Sequence, residues 1–305
     1  MLLEKKYSRI QQIHFSEISD KEISLFIKRE DELHAFISGN KMRKLKYNLK
    51  QAKSQNHDEL LTFGGAYSNH IAAVAYAGKE YNFKTIGIIR GEELVHNINQ
   101  NPTLSFAKKC GMQFKFISRA AYKEKTAPLF MDHLKKEFGD FYLLPEGGTN
   151  TLAVKGCEEI LTKEDAVYDY ICCPVGTGGT IAGIINASFS HQKIIGFPAL
   201  KGDFLQNEIS KFAQRSNWEL MQDYHFGGYA KVNRNLIAFM NQFKTENNIP
   251  LDPVYTGKMM FGIYDLISKG FFPENAKILA IHTGGLQGIS GMNIVLKKKG
   301  LPLIQ

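Results

Sequence analysis

From Glu59 to the C-terminus, short apolar runs alternate with longer amphipathic stretches, and this alternation restricts the fold more than any other feature of the chain. Runs at 59–63, 85–90, 113–117, 141–144, 168–174, 193–197 and 277–282 have the length and the branched or aromatic content of buried strands. Between them, 68–81, 103–110, 121–138, 180–189, 233–246 and 258–268 carry apolar residues at helical spacing. Strands that each return through a helix pair in parallel, so the expected class is α/β, with mainly parallel sheets flanked by helices. Sheets of this kind bind ligands at the carboxyl ends of their strands, where loops run into helices.

At 305 residues the chain is long enough for two domains. A formal charge of +8 raises the question of a nucleic-acid partner. The basic residues are dispersed, however, and the densest run, Lys297-Lys298-Lys299, closes an expected last helix, where cations complement the dipole. No zinc-finger spacing or stacking-aromatic motif accompanies that charge, so neither a nucleic-acid partner nor a metal is expected. Cys110, Cys157, Cys172 and Cys173 show no ligand spacing and read as small core hydrophobes in a reducing compartment. The start, Met1-Leu2-Leu3-Glu4-Lys5-Lys6, lacks the apolar core of a signal peptide, and no run reaches the length of a membrane span. The expectation is a cytoplasmic protein without a membrane partner.

Two motifs fall where an expected strand meets an expected helix. The first, Gly64-Gly65-Ala66-Tyr67-Ser68-Asn69-His70, offers Ser and Asn as helix caps, and a helix N-terminus capped this way also suits a carboxylate. His70 alone reads as a structural histidine. The second, Gly176-Thr177-Gly178-Gly179-Thr180, reads either as a tight turn or as a phosphate cup made of backbone N–H groups, two hydroxyls and a helix dipole. A dinucleotide fingerprint would need glycine at 181, where this chain has Ile181. Upstream, Ser38-Gly39-Asn40-Lys41-Met42-Arg43-Lys44-Leu45 places a lysine beside a permissive glycine, with Arg43 and Lys44 concentrating positive charge near a possible anion. Positive neighbours lower a lysine pKa, as Schiff-base chemistry requires. A reactive lysine and a separate phosphate cup together point to pyridoxal phosphate. Asp252-Pro253-Val254-Tyr255-Thr256-Gly257-Lys258 and Ile281-His282-Thr283-Gly284-Gly285 read by themselves as two turns. No glycine-serine-glycine elbow surrounds any serine, which excludes the common hydrolase arrangement.

In the order of these motifs the chain resembles the fold-type II pyridoxal-phosphate enzymes, the tryptophan synthase beta-like fold, and more narrowly the group containing D-cysteine desulfhydrase and 1-aminocyclopropane-1-carboxylate (ACC) deaminase. The resemblance runs from Ile27-Lys28-Arg29-Glu30-Asp31 to Gly284-Gly285, and its specific parts are the Gly-Asn-Lys-x-Arg-Lys-Leu and Asp-Pro-Val-Tyr-x-Gly-Lys runs. It implies that Lys41 bonds the cofactor aldehyde, that Lys44 lies near the phosphate, and that Gly176, Thr177, Gly178, Gly179 and Thr180 hold that phosphate. It implies further that Asn69 faces the phenolic oxygen, that Ser68, Asn69 and His70 border a small amino-acid substrate, and that Ser68, Tyr229 and Tyr255 take part in catalysis. Thr256 and Thr283 match the positions beside the pyridine nitrogen. A larger cofactor domain, 1–46 and 147–305, a smaller α/β domain, 47–146, and a homodimer are implied as well.

Two departures stand out: Ser38 replaces the glycine usual before Gly-Asn-Lys, and Ala72-Ala73 replaces an Arg-Gln pair. ACC deaminases resemble one another in having Glu where this chain has Thr256 and Leu where it has Thr283. A carboxylate keeps the pyridine nitrogen protonated and strengthens the electron sink that ring opening needs, whereas a thiolate leaves more easily. The expected activity is therefore a deaminating β-elimination, from D-cysteine to pyruvate, ammonia and sulfide, with ACC deamination or β-replacement synthesis as alternatives.

Overall fold

The computed structural model describes residues 7–16 and 22–305, so the Met1–Lys6 start, read above for the absence of a leader, lies outside the described residues. In chain order the elements are β1 (Ile10–Ile13), β2 (Ser24–Lys28), α1 (Asn40–Ser54), β3 (Glu59–Gly64), α2 (Asn69–Tyr81), β4 (Lys84–Arg90), α3 (Pro102–Lys109) and β5 (Gln113–Ile117). They continue with α4 (Arg119–Lys123), α5 (Pro128–Phe138), β6 (Tyr142–Leu144), α6 (Thr151–Glu158), β7 (Tyr170–Val175), α7 (Gly179–Ala187) and β8 (Lys193–Pro198). The last are α8 (Phe204–Ser210), β9 (Trp218–Leu220), α9 (Arg234–Asn247), α10 (Thr256–Ser268), β10 (Lys277–Ile281) and α11 (Gly288–Lys298).

These strands form two sheets. One has six strands in the order β1-β2-β10-β7-β8-β9, parallel except for β1, and the other has four parallel strands in the order β5-β4-β3-β6. Every strand expected from the sequence is present. β1, β2 and β9 were not anticipated, being too short and too mixed in composition to stand out as apolar runs.

Side-chain alternation explains why the central strands read as unbroken apolar runs. Cys172 and Cys173 are adjacent in β7, yet one packs with Leu236, Met240 and Ile263 on one face and the other with Ile184, Ile281 and Leu205 on the opposite face. In the smaller sheet, Leu60 and Leu61 divide in the same way between two clusters. Each such side chain, taken fully out of water, contributes roughly 1.5–3 kcal/mol of transfer free energy. Cys157, Cys172 and Cys173 are buried and all four cysteines are free, as core hydrophobes should be, and burial pushes their thiols up.

One expected helix is two. The stretch 121–138 breaks because Pro128 occupies the first turn of α5 and holds Ala127 extended (ψ 136°), so α4 stops at Lys123. At the other end of the scale, α2 obeys its signals. Ser68 Oγ accepts the Ile71 N–H at 3.3 Å, and Asn82, left-handed at φ 57°, ends the helix. Among the described residues no helix is long and apolar enough to cross a membrane.

Three strand ends converge. β3 leads through Gly65 into α2, β7 leads through Gly176 into α7, and β10 leads through His282 to Gly285. The helix that carries Lys41, α1, closes the gap between them.

Candidate active site

The approach of α1 depends on one glycine. Gly39 has φ 62°, and a β-carbon built there would stand 2.0 Å from the Thr283 carbonyl oxygen. Asn40 is tied on both sides, its N–H donating to Thr283 O at 3.2 Å and its Nδ2 to Thr180 Oγ1 at 2.7 Å. The first turn of α1 is thus fixed against the β10 loop and the start of α7 together.

Lys41 follows and reaches into a cleft of about 790 Å³ that is open to solvent at its mouth. Its Nζ makes no hydrogen bond among the described residues. Burial, and then the charge of Lys44, bring its pKa down to about 7. Lys44 is held differently. Its Nζ donates to Gly147 O at 2.9 Å and to Thr149 Oγ1 at 3.0 Å, with Thr177 Oγ1 at 3.4 Å, and burial lowers its pKa. Arg43 corrects an expectation. Rather than adding positive charge to the cleft, its guanidinium forms a buried two-pronged pair with Glu30, at 2.8 and 2.9 Å, on the far side of α1.

The glycine-threonine loop forms the floor. Gly178 is left-handed (φ 82°), and α7 opens at Gly179 with no side-chain cap, so the N–H groups of its first turn have no partner within the helix. Gly176, Thr177, Gly178 and Thr180 line the cleft. Gly179 does not; it stands behind, where a β-carbon would meet Thr149 at 2.8 Å.

Across the cleft, the start of α2 presents Ser68, Asn69 and His70. His70 Nε2 lies 2.9 Å from Thr62 Oγ1, which donates in turn to Leu144 O. Burial, and then Lys41 and Lys44, hold the imidazole far below its ordinary pKa, so it is neutral. Tyr229 and Tyr255 close one side with their rings edge to face, centroids 6.3 Å apart. Burial raises both phenols, and each hydroxyl interacts with the other.

Thr283 lines the cleft, but Thr256 does not. Thr256 is fully buried at the start of α10, and its Oγ1 accepts the Asp252 N–H at 2.7 Å. Its hydroxyl therefore supports the turn before α10, and of the two threonines only Thr283 is on the cleft wall.

Sequence reading passed over Asp252. Its Oδ1 accepts the N–H groups of Val254 at 3.0 Å and Tyr255 at 2.6 Å, while the fully buried Oδ2 faces the Asn69 amide without a well-formed hydrogen bond. Burial, partly offset by those two amides, moves its pKa up to about 7. An aspartate before a proline looks like an ordinary turn residue, and nothing in the sequence marks it as buried. Gln287, an exposed residue whose Nε2 donates to Asn69 Oδ1 at 2.5 Å, was missed as well, because its partner is 218 residues away in the chain.

This donor set fits a phosphorylated aldehyde. An amine with a lowered pKa is the group that condenses with an aldehyde, and the uncapped N-terminus of α7 is a ready anion site. Among the described residues no group of three His, Cys, Asp or Glu side chains is placed to hold a metal ion.

Comparison with known proteins decides the matter, because residues 9–284 match the pattern that defines the pyridoxal-phosphate dependent enzymes. The chain belongs to that family. Its cofactor is pyridoxal 5'-phosphate, and its fold is the family's fold type II. Over 296 residues this pyridoxal-phosphate enzyme is 31% identical to the mitochondrial bifunctional D-cysteine desulfhydrase/ACC deaminase of Arabidopsis thaliana, covering 87% of this chain and 73% of the relative. It is 27% identical over 287 residues to D-cysteine desulfhydrase of Klebsiella pneumoniae, covering 86% of each. A solved structure of an ACC deaminase homologue superposes with a TM-score of 0.81 at 29% identity, over 94% of this chain and 92% of that one.

Proposed function

We propose that this enzyme catalyses a deaminating β-elimination on a small amino acid, with D-cysteine and water giving pyruvate, ammonia and sulfide. The observation that carries this reading is the lining of the cleft, which includes no carboxylate among the described residues and has the neutral Thr283 hydroxyl on its wall. Without a carboxylate to hold the pyridine nitrogen protonated, the arrangement favours expulsion of a good leaving group over the opening of a cyclopropane ring.

When bound, pyridoxal phosphate supplies a conjugated sink for the electron pair left at the substrate Cα. The chain's own residues do the rest. The free N–H groups at the start of α7, with Thr177 and Thr180, bind the phosphate, and Lys44 adds a fixed positive charge beside them. Lys41, with its pKa near 7, covalently holds the cofactor at rest and serves as the base that takes the Cα proton. Ser68 and the first N–H groups of α2, at Asn69 and His70, hold the substrate carboxylate, and neutral His70 adds no charge there. Tyr255 and Tyr229 share a proton between their hydroxyls and deliver it to the departing thiolate.

A cofactor domain of residues 1–46 and 147–305, a smaller domain of 47–146, a homodimeric assembly and a cytoplasmic location complete the proposal. The names borne by the relatives support both D-cysteine and ACC as substrates to be tried. The test is product release from D-cysteine, L-cysteine, D-serine and ACC. Pyruvate and sulfide should appear with D-cysteine, and 2-oxobutyrate should be absent with ACC. ACC turnover without thiol elimination would reverse the reading.

A further inference from the structure

A chain of polar side chains runs along the cleft wall and joins elements of the two sheets. Thr103, on α3, donates from Oγ1 to Gln287 Oε1 at 3.2 Å, and Gln287 Nε2, just before α11, donates to Asn69 Oδ1 on α2. With Oδ1 facing Gln287, the Asn69 nitrogen is on the other side, 2.5 Å from the point where a β-carbon on Gly285 would stand. Asp252 Oδ2 is 3.0 Å from that same point. Gly285, left-handed at φ 94°, leaves the space in which the amide and the carboxylate meet.

The direction of such a chain is not determined by the amides in it. Each amide can turn over together with its neighbour, and a threonine hydroxyl at the far end can donate or accept. Only a group that accepts and never donates can decide the matter. An ionised carboxylate is that group; Asp252 is fully buried at the other end, and with its pKa at about 7 it takes that form above neutral pH. Nor can it swing away, since Oδ1 is occupied by the Val254 and Tyr255 amides and its own N–H by Thr256.

We infer that Asp252 is a positioning residue of the cofactor site, which sets the direction of the Thr103–Gln287–Asn69 chain and so keeps the Asn69 amide nitrogen, with one hydrogen to spare, available to a ligand in the cleft. The inference rests on the reading above that Asn69 faces the cofactor. It accounts for a buried carboxylate oxygen that otherwise has no partner, a costly arrangement where nothing uses it. Lys258 on α10, Lys41 on α1, and Tyr229 and Tyr255 surround Asp252 electrostatically, so its charge is felt across the site.

The experiment compares Asp252→Asn, Gln287→Met and Asn69→Ala with wild type, reading the absorbance of bound pyridoxal phosphate across pH, the cofactor dissociation constant, and the Tm of the cofactor-free chain. In Asp252→Asn the new side chain must keep its oxygen toward the two backbone amides, which turns its NH₂ toward Asn69 and reverses the chain. Cofactor affinity should fall about tenfold, the scale of one lost charge-assisted hydrogen bond, and the absorbance should shift in the same sense as in Asn69→Ala. Gln287→Met, a change on the surface that folding tolerates, should shift it the same way and less. A wild-type absorbance profile in Asp252→Asn, or in Gln287→Met should the aspartate variant not fold, with Asn69→Ala altered, would overturn the inference and leave the Asn69 reading standing. An unaltered Asn69→Ala would instead remove the reading on which the inference rests.

Discussion

Gly39 and Thr283 are in contact so close that no side chain fits between them, and this contact seats the lysine-bearing helix α1 against the loop after β10. Gly39→Ala would require both a left-handed alanine and displacement of the Thr283 carbonyl. Local strain of this kind costs about 1–3 kcal/mol before any clash is counted. We expect the variant to lose at least that much stability in urea unfolding and to bind pyridoxal phosphate more weakly, because Lys41 moves with the helix. Wild-type values in both measurements would show that α1 is seated by other contacts.

Lys41 should carry the cofactor. Borohydride reduction and peptide mapping should find the pyridoxyl group there and not on Lys44, whose Nζ is already committed to Gly147, Thr149 and Thr177, nor on Lys258, which donates to His225 O and Gly228 O. Lys41→Ala should lose the label and the turnover.

The acidity of Lys41 gives a pH signature. With a pKa near 7 its amine is protonated and unreactive in acid, so the rate of cofactor uptake by the cofactor-free chain should climb about tenfold per pH unit below 7 and level off above it. The folded value lies below the ordinary 10.5, so the unfolded chain binds the extra proton between about pH 7 and 10.5. Burying Lys41 therefore destabilises the cofactor-free fold fully below pH 7, and the penalty fades as pH rises toward 10.5. Lys41→Met should raise the Tm of the cofactor-free chain at pH 7 and have little effect at pH 10.5. A Tm difference independent of pH would contradict the assignment.

Phosphate binding at the start of α7 can be separated from backbone strain. Gly178→Asn already meets φ 82° and Ile209 Cγ1 at 3.0 Å and has the bulk of an aspartate, so the further loss of cofactor affinity in Gly178→Asp reports charge. That further loss should be at least about tenfold. Equal affinities in the two variants would mean that the phosphate lies elsewhere.

Arg43 should matter to folding more than to cofactor. Glu30→Gln takes the nearer counter-charge from a buried guanidinium and leaves it only Glu159 at 3.8 Å, a change that costs about 3 kcal/mol, while the cleft is untouched. Denaturant unfolding should record the loss, and the cofactor dissociation constant of the folded protein should stay near wild type.

Much of the site was legible because its parts are local. A glycine loop between a strand and a helix, or Ser-Asn at a helix start, has its meaning within a few residues, and both motifs face the same cleft. Where the reading failed, a side chain had been given a direction that sequence does not specify. Arg43 is only two residues from Lys41, yet it points to Glu30 on the opposite side of α1. Thr256 adjoins Tyr255 in sequence, yet its hydroxyl turns back to Asp252 and leaves Thr283 alone on the cleft wall.

The sequence by itself determined the α/β class, the strand and helix order from Glu59 onward, and the pyridoxal-phosphate family, since hydrophobic period and turn chemistry are properties of neighbouring residues. Only the tertiary structure decided that Asp252 is a buried carboxylate beside Asn69, that Lys41 has an amine near neutrality, and that the two sheets are joined by the Thr103–Gln287–Asn69 chain. Burial and charge at those positions come from groups far apart in the chain, and no local pattern encodes which of them will meet.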